Sequence, residues 1–244
     1  MRILLTLSNI KALQADLVPQ LVTNFETSFS VRLTDEAKTI RDVIRQIDDR
    51  LFQSYTKPIL GTLNKAIFKG VTAHNFVPPT TRPEQVRPYV NQTMLTLVLV
   101  HTEISTTIPS NSNTAMSRSS TAPSPLLNTV LSHLLVQVSS SLLAAFSSRP
   151  SYSLAALMQA TLDTEFILQT MTQYTTEESS NVQGQIYGEL DRRTTHEAQA
   201  HLQPELEEMK VVLRKLKDRT KGEFACFRKA KGTTSTVKAS SSQQ

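Results

Sequence analysis

Five histidines, one cysteine and 21 acidic residues are the groups in this 244-residue chain whose types could support acid–base, nucleophilic or metal chemistry. His196, Glu197 and His201 come nearest to a zinc-protease helix, a motif that needs its two histidines four apart so that both rings face one ion. Here they are five apart, about 140° round a helix, and read as solvated histidines on a polar surface. His101 and His133 lie in otherwise apolar stretches with no paired carboxylate or serine context, the setting of packing histidines that make one hydrogen bond. Asp163 and Glu165 project about 200° apart on a helix and cannot share a proton or a metal; Asp48 and Asp49 diverge in the same way. These carboxylates read as solvated faces. Cys226 in FACFRK has bases nearby that would lower a thiol pKa but no partner histidine, and reads as a half-buried thiol. A single cysteine excludes an intramolecular disulfide and a cysteine-based zinc site, which suits a reducing compartment. Gly184 and Gly188 form a G-x-x-x-G whose pairing role belongs to membrane helices; in VQGQIYGEL it marks close helix packing or a weak helix. Asn91-Gln-Thr93 has the form of a glycosylation triplet but falls in the wrong context for one. No enzyme, metal site, cofactor or small-molecule substrate is expected from these residues.

The charge feature that stands above background is local. Lys plus Arg number 26 against 21 Asp plus Glu, a net +5, and the sequence pI is near 9.4. From Lys210 to Lys231 nine bases meet two acids, a local +7, whereas the preceding 209 residues sum to −3. Lys210, Arg214, Lys215, Lys217, Arg219, Lys221, Arg228, Lys229 and Lys231 are therefore the candidate contact for an anionic lipid surface or an acidic partner. Part of the pattern needs no partner: Glu205, Glu207 and Glu208 begin the last helix and bases finish it, as the helix dipole prefers. Nucleic acid is not expected, since no aromatic stacking pattern accompanies the bases.

The elements that must position these groups read as helices. Hydrophobic residues make up 39% of the chain, with no Trp and only 6 Gly, poor material for tight hairpins and phosphate-cradling loops. Leu7, Ile10, Leu13, Leu17, Leu21 and Phe25 draw one inward stripe over residues 6–28, kinked at Pro19. Thr34 is the expected N-cap of a second helix with Ile40, Val43, Ile47, Leu51 and Tyr55 inward, broken or bent at Pro58 and carried by Ile59, Leu63 and Ile67 to about Lys69. Pro88 opens a third, with Tyr89, Met94, Leu97, Val98, His101 and Ile104 inward; its MLTLVLV run alone has the periodicity of a buried strand as well. Ser124 and Pro125 start a helix striped by Leu127, Leu131, Leu134, Val138 and Leu142. Ser153 opens one with Leu157, Leu162, Phe166 or Ile167, and Met171 inward, ending near Tyr174; Thr176 restarts the chain with Val182, Ile186 and Leu190 spaced by four; and Pro204 begins a last helix with Leu206, Met209, Leu213 and Leu216 in a seam-like rhythm. No continuous apolar run approaches the roughly 18 to 20 residues of a membrane span, and MRILLTL is too short for a signal peptide core.

The expected architecture is all-α, antiparallel helical bundles stacked in a rod. Residues 1–108 form a first bundle segment, 109–124 a disordered Ser/Thr/Pro-rich insertion, 125–230 a second bundle segment and 231–244 a disordered tail.

As a set, TLSNIKALQADLVPQLV, RDVIRQIDDRLFQSYTKP, RPEQVRPYVNQTMLTLVLVHTEIS, PLLNTVLSHLLVQV and LMQATLDTEFILQTMTQY resemble, in order and spacing, the C-terminal part of the fungal Sec-five subunit family of the exocyst. The likeness covers most of residues 6–229 and rests on extended helices, so it points to no site residue. It implies a rod of helical bundles that helps hold secretory vesicles at the plasma membrane before fusion, bound to other exocyst subunits and with no cofactor. It places the chain in the cytoplasm, recruited peripherally to sites of exocytosis. Members of the family are far longer, so a C-terminal fragment or truncated product is expected, and the GTPase-binding domain of animal relatives has no counterpart here. The insertion at 109–124 and the Trp-free loop NFVPPTTRP depart from the family pattern.

Overall fold

The computed structural model describes residues 2–78, 82–108 and 124–228. The expected insertion, except Ser124, and the expected tail lie outside these residues. Helix α1 (Arg2–Ala12) passes through a π-helical turn (Leu13–Leu17) into α2 (Val18–Phe29), and a short turn leads to α3 (Thr34–Thr72). Then follow α4 (Pro88–Thr107), α5 (Pro125–Ser147), α6 (Leu154–Thr170), α7 (Glu177–Arg192), the short α8 (His196–Ala200) and α9 (Leu202–Arg219). The fold is all-α: the described residues hold no strand, only an isolated bridge between Tyr152 and Thr194. MLTLVLV is helical, within α4.

Helix α5 is the centre of the bundle, packed against α3, α4 and α7, while α9 lies along α6. Its stripe of Leu127, Leu131, Leu134, Val138 and Leu142 is buried throughout, as its spacing predicts. By length and mean hydropathy α5 is the described helix apolar enough to cross a bilayer, a property it shares with core helices of bundles. It begins as the sequence indicates: Pro125 occupies the first turn and Ser124 Oγ accepts the Leu127 N–H at 3.2 Å. At α7, Thr176 and Ser179 form a reciprocal capping box. One buried apolar cluster runs from Leu4 to Phe227 through residues of both expected bundle segments.

Pro58 does not break α3, which continues for 39 residues, roughly 58 Å of rod. A proline removes one backbone donor and crowds the carbonyl four residues back. Here both Pro58 and Ser54 are exposed, so water can satisfy the carbonyl left without its partner. Gly70, near the end of α3, permits a close crossing: a Cβ there would stand 2.4 Å from Tyr89 Cβ at the start of α4.

The first helices depart from the predicted pattern. The chain is helical from Arg2, and Pro19 follows the π turn, whose widened coil relieves the clash with the preceding carbonyls. A π turn rotates everything beyond it by roughly one residue, about 100°. Leu4 and Leu7 are buried, but Leu17, Leu21 and Phe25 are 51%, 64% and 45% exposed. Ile40, Val43 and Ile47 on α3, also predicted inward, are 45%, 50% and 45% exposed. Thr34 is the first helical residue and Leu33 takes the cap position; among the described residues no side chain caps the helix there, and Glu26 accepts the Leu33 N–H at 2.8 Å.

At one end of the bundle a polar clamp joins three connections. The Arg149 guanidinium donates to Val71 O at 2.8 Å and lies over the Phe76 ring at 4.9 Å. Arg193 donates to Arg149 O at 2.6 Å, and Glu189 binds both Arg192 and Arg193. Those two guanidinium hydrogen bonds hold the Glu189 carboxyl down at about 2.

Candidate functional site

The basic segment folds as the second half of α9, a turn, and a 3-10 turn at Ala225–Phe227. Because α9 packs along α6 through Leu213 and Leu216, both 5% exposed, its bases on one flank face the C-terminal end of α6. Between them runs a groove of about 900 Å³ that brings together Lys210, Arg214, Lys217 and Arg228. Gln169, Thr170, Thr172 and Gln173 form its opposite wall, and Leu213, Phe224 and Phe227 contribute apolar lining.

Two of the cations are held in place. Lys217 Nζ donates to Gln169 Oε1 at 3.0 Å, and Arg228 Nη2 donates to Lys217 O at 3.1 Å. Lys210 pairs with Glu207 at 2.7 Å, with both side chains largely exposed, a contact worth little in water. Arg214 makes no ion pair among the described residues. Asp218 is the acid on the lining. The surplus of cations beside amide and hydroxyl groups gives the groove the means to hold a carboxylate or phosphate.

The other predicted residues separate. Arg219 lines a second cavity of about 460 Å³ on the far side of Phe224, with Val86, Leu95 and Glu223. Lys215 and Lys221 are exposed and line neither cavity. Lys229 and Lys231 lie outside the described residues. The acids at the start of α9 are used structurally: Arg82 binds Glu205 at 2.6 Å and also Glu208, tying the segment before α4 to α9.

The remaining candidates serve packing. His101 meets the Phe227 ring edge-on at 5.8 Å, and His133 meets Phe52 at 5.1 Å. Burial lowers both imidazole pKa values, as for rings used as flat packing surfaces. Burial raises the Cys226 thiol, against the direction its basic neighbours suggest. Among the described residues nothing lies within 4 Å of where a Cβ on Gly184 or Gly188 would sit, so the G-x-x-x-G is a weak point in α7 and not a close crossing. Among the described residues no three His, Cys, Asp or Glu side chains gather to hold a metal ion.

Asp163 corrects the solvated-face reading. It is fully buried on α6, where Oδ1 accepts the Arg87 N–H at 3.0 Å and Gln159 Nε2 at 2.8 Å. Gln159 also donates to Gln85 O at 3.1 Å, so the pair clamps the entry to α4. Desolvation pushes the carboxyl up to about 7 in spite of these donors. The signal available in the sequence was position: Asp163 stands one residue after Leu162 and three before Phe166, within the inward arc of α6. Glu165 is partly buried and accepts from the Tyr187 hydroxyl at 2.5 Å.

Neither the curated proteins nor the solved structures give a significant match to the chain. A family model does: that of the exocyst complex component Sec5, over residues 1–227. The matched span takes in every described helix, the buried core and, apart from Arg228, the groove beside α9. By this match the chain belongs to the Sec5 family of exocyst components.

Proposed function

We propose that the chain is a structural, non-enzymatic subunit of the exocyst, tethering secretory vesicles to the plasma membrane before fusion through helix-mediated contacts with the other subunits. The observation that carries this reading is the family match over residues 1–227, coextensive with a bundle built almost wholly of long amphipathic helices. Such faces recognise partners through apolar grooves with polar rims. On this reading the protein works in the cytoplasm and is recruited peripherally to sites of exocytosis. It corresponds to the C-terminal part of a fungal family member, with residues 1–108 and 125–230 as its two bundle segments. Copurification with the other exocyst subunits is the test: the folded chain is expected to bring down at least one, and recovery of none would reject the assembly role.

A second reading concerns the α9 groove. The convergence of Lys210, Arg214, Lys217 and Arg228 favours peripheral contact with an anionic membrane. Flotation with vesicles is expected to rise with anionic-lipid content and fall in Arg214→Glu/Lys217→Glu. Flotation indifferent to both would reject the contact.

A further inference from the structure

Resting on the membrane contact proposed above for the same groove, we infer that the space between α6 and the end of α9 seats one lipid headgroup bearing two or more phosphate monoesters, such as a bisphosphorylated inositol. Lys210, Arg214, Lys217 and Arg228 line the groove against one acid, Asp218, a surplus of three positive charges. A phosphate monoester carries about −1.5 to −2 at neutral pH, so two of them match that surplus. A phosphatidylserine headgroup brings a single net negative charge and an ammonium that would stand among the bases. An acidic peptide delivers one charge per residue and would have to crowd several acids into one groove.

The cations are positioned before a ligand arrives. Lys217 Nζ donates to Gln169 Oε1 at 3.0 Å, and Gln169 Nε2 in turn donates to Glu165 at 2.7 Å. Arg228 is tied to Lys217 O at 3.1 Å. Beneath them Phe224 packs edge-on against Phe166 at 5.9 Å, and Phe227 against Tyr174 at 6.1 Å. Side chains fixed in this way lose little further freedom when they bind. Arg214 makes no ion pair among the described residues and offers its planar fork for a bidentate phosphate contact.

The surface beside the groove favours a lipid over a soluble polyphosphate. At 100° per residue, Val211 and Lys215 lie about 100° and 140° round α9 from Lys210, next to the edge of the groove that carries Asp218. Val211 is 48% exposed, and Lys215 is exposed. A bilayer would meet both, Val211 at its interface and Lys215 through neighbouring anionic lipids, whereas a soluble ligand would use neither.

Two measurements on the full chain test the proposal: calorimetric titration with inositol trisphosphate, and flotation with phosphatidylcholine vesicles carrying either phosphatidylinositol bisphosphate or phosphatidylserine at matched total lipid charge. One-to-one binding of inositol trisphosphate and a preference for the bisphosphate vesicles are expected. Arg214→Gln and Lys217→Gln should each weaken inositol trisphosphate binding by about tenfold. Lys215→Gln removes the same charge outside the groove and should leave that affinity unchanged. Val211→Asp should lower flotation and spare inositol trisphosphate binding. Arg214, Lys215 and Val211 are exposed, so these variants should keep the helical circular dichroism and melting curve even where Lys217→Gln does not. Equal losses from Arg214→Gln and Lys215→Gln would overturn the proposal, as would displacement of inositol trisphosphate by octaglutamate at equal concentration, the mark of a site for acidic protein. Inositol trisphosphate binding without a vesicle preference, or flotation indifferent to Val211→Asp, would overturn the lipid source. Flotation that follows total lipid charge alone would overturn the headgroup and leave the membrane contact standing; flotation with neither vesicle would remove both.

Discussion

The middle of the bundle and its N-terminal hairpin are built from similar amphipathic helices and end in different states. On α5 and α6 the predicted inward residues reach near-complete burial because each helix is covered from several sides, by α3, α4 and α7 or by α9. The first half of α3 has the α1–α2 arm along one side, and its apolar stripe is wider than that contact. Sequence periodicity states which face of a helix is apolar; the number of neighbours decides how much of that face is covered. An apolar residue in the hairpin is therefore a candidate contact, whereas one in the middle is a candidate for stability alone.

Four measurements would break or sharpen this contrast. The largest effect is expected from truncating the core. Phe146→Ala, fully buried between Phe76 and Tyr152, should cost about 3–5 kcal/mol by urea unfolding, and Phe25→Ala on the hairpin well under half of that. Equal costs would abolish the distinction.

Next comes pH. Asp163 has its folded pKa raised to about 7 from 3.8. Between these values the unfolded chain has released a proton that the folded chain keeps, so stability falls as pH rises from about 4 to 7 and stays low above. The change should be on the order of 4 kcal/mol, and Asp163→Asn should remove it. A wild-type unfolding free energy flat over that window would show that the buried clamp is not strained.

Third, Gly70→Ala should destabilise by about 2 kcal/mol because Tyr89 blocks the new methyl. Gly61→Ala, in open space on the same helix, should stabilise by up to about 1 kcal/mol. Smallest is the caps: Ser124→Ala should cost about 1 kcal/mol through its lost bond to Leu127, and Thr34→Ala, which loses no capping bond, only a few tenths by the same reasoning.

Much of the fold was legible. Proline at a first helical position, serine or threonine caps and three-four apolar spacing located α4, α5, α6 and α7 with their inward residues, because in those stretches local preference and tertiary surroundings agree. Of the two outcomes read at Pro58 the break does not occur, because a surface helix tolerates a lost backbone bond that water replaces. Asp163 was misread because pairwise spacing tests whether two carboxylates can cooperate, and says nothing of a backbone amide arriving from 76 residues away. The basic segment was legible as charge, yet only the packing of α9 on α6 sorts its members. Arg214, Lys217 and Arg228 converge on one groove, while Lys215, adjacent in sequence, points elsewhere on the helix surface.

The π turn at Leu13–Leu17 acts on the molecule as a change of thread. In an unbroken α-helix Leu21 would lie only about 40° from Leu7, and the whole run would screw onto α3 along one line. One surplus residue ahead of Pro19 advances the thread and turns the second half of the arm outward. Tightening that turn to regular α-helix with every residue kept would rewind α2 and bring Leu21 back toward the side of Leu7, whereas deleting one position, Ala15 for example, would remove the bulge and leave α2 facing as it does. Whether this end of the protein is sticky or inert is thus set by the winding of the chain over a single turn, a property no hydrophobicity scale records.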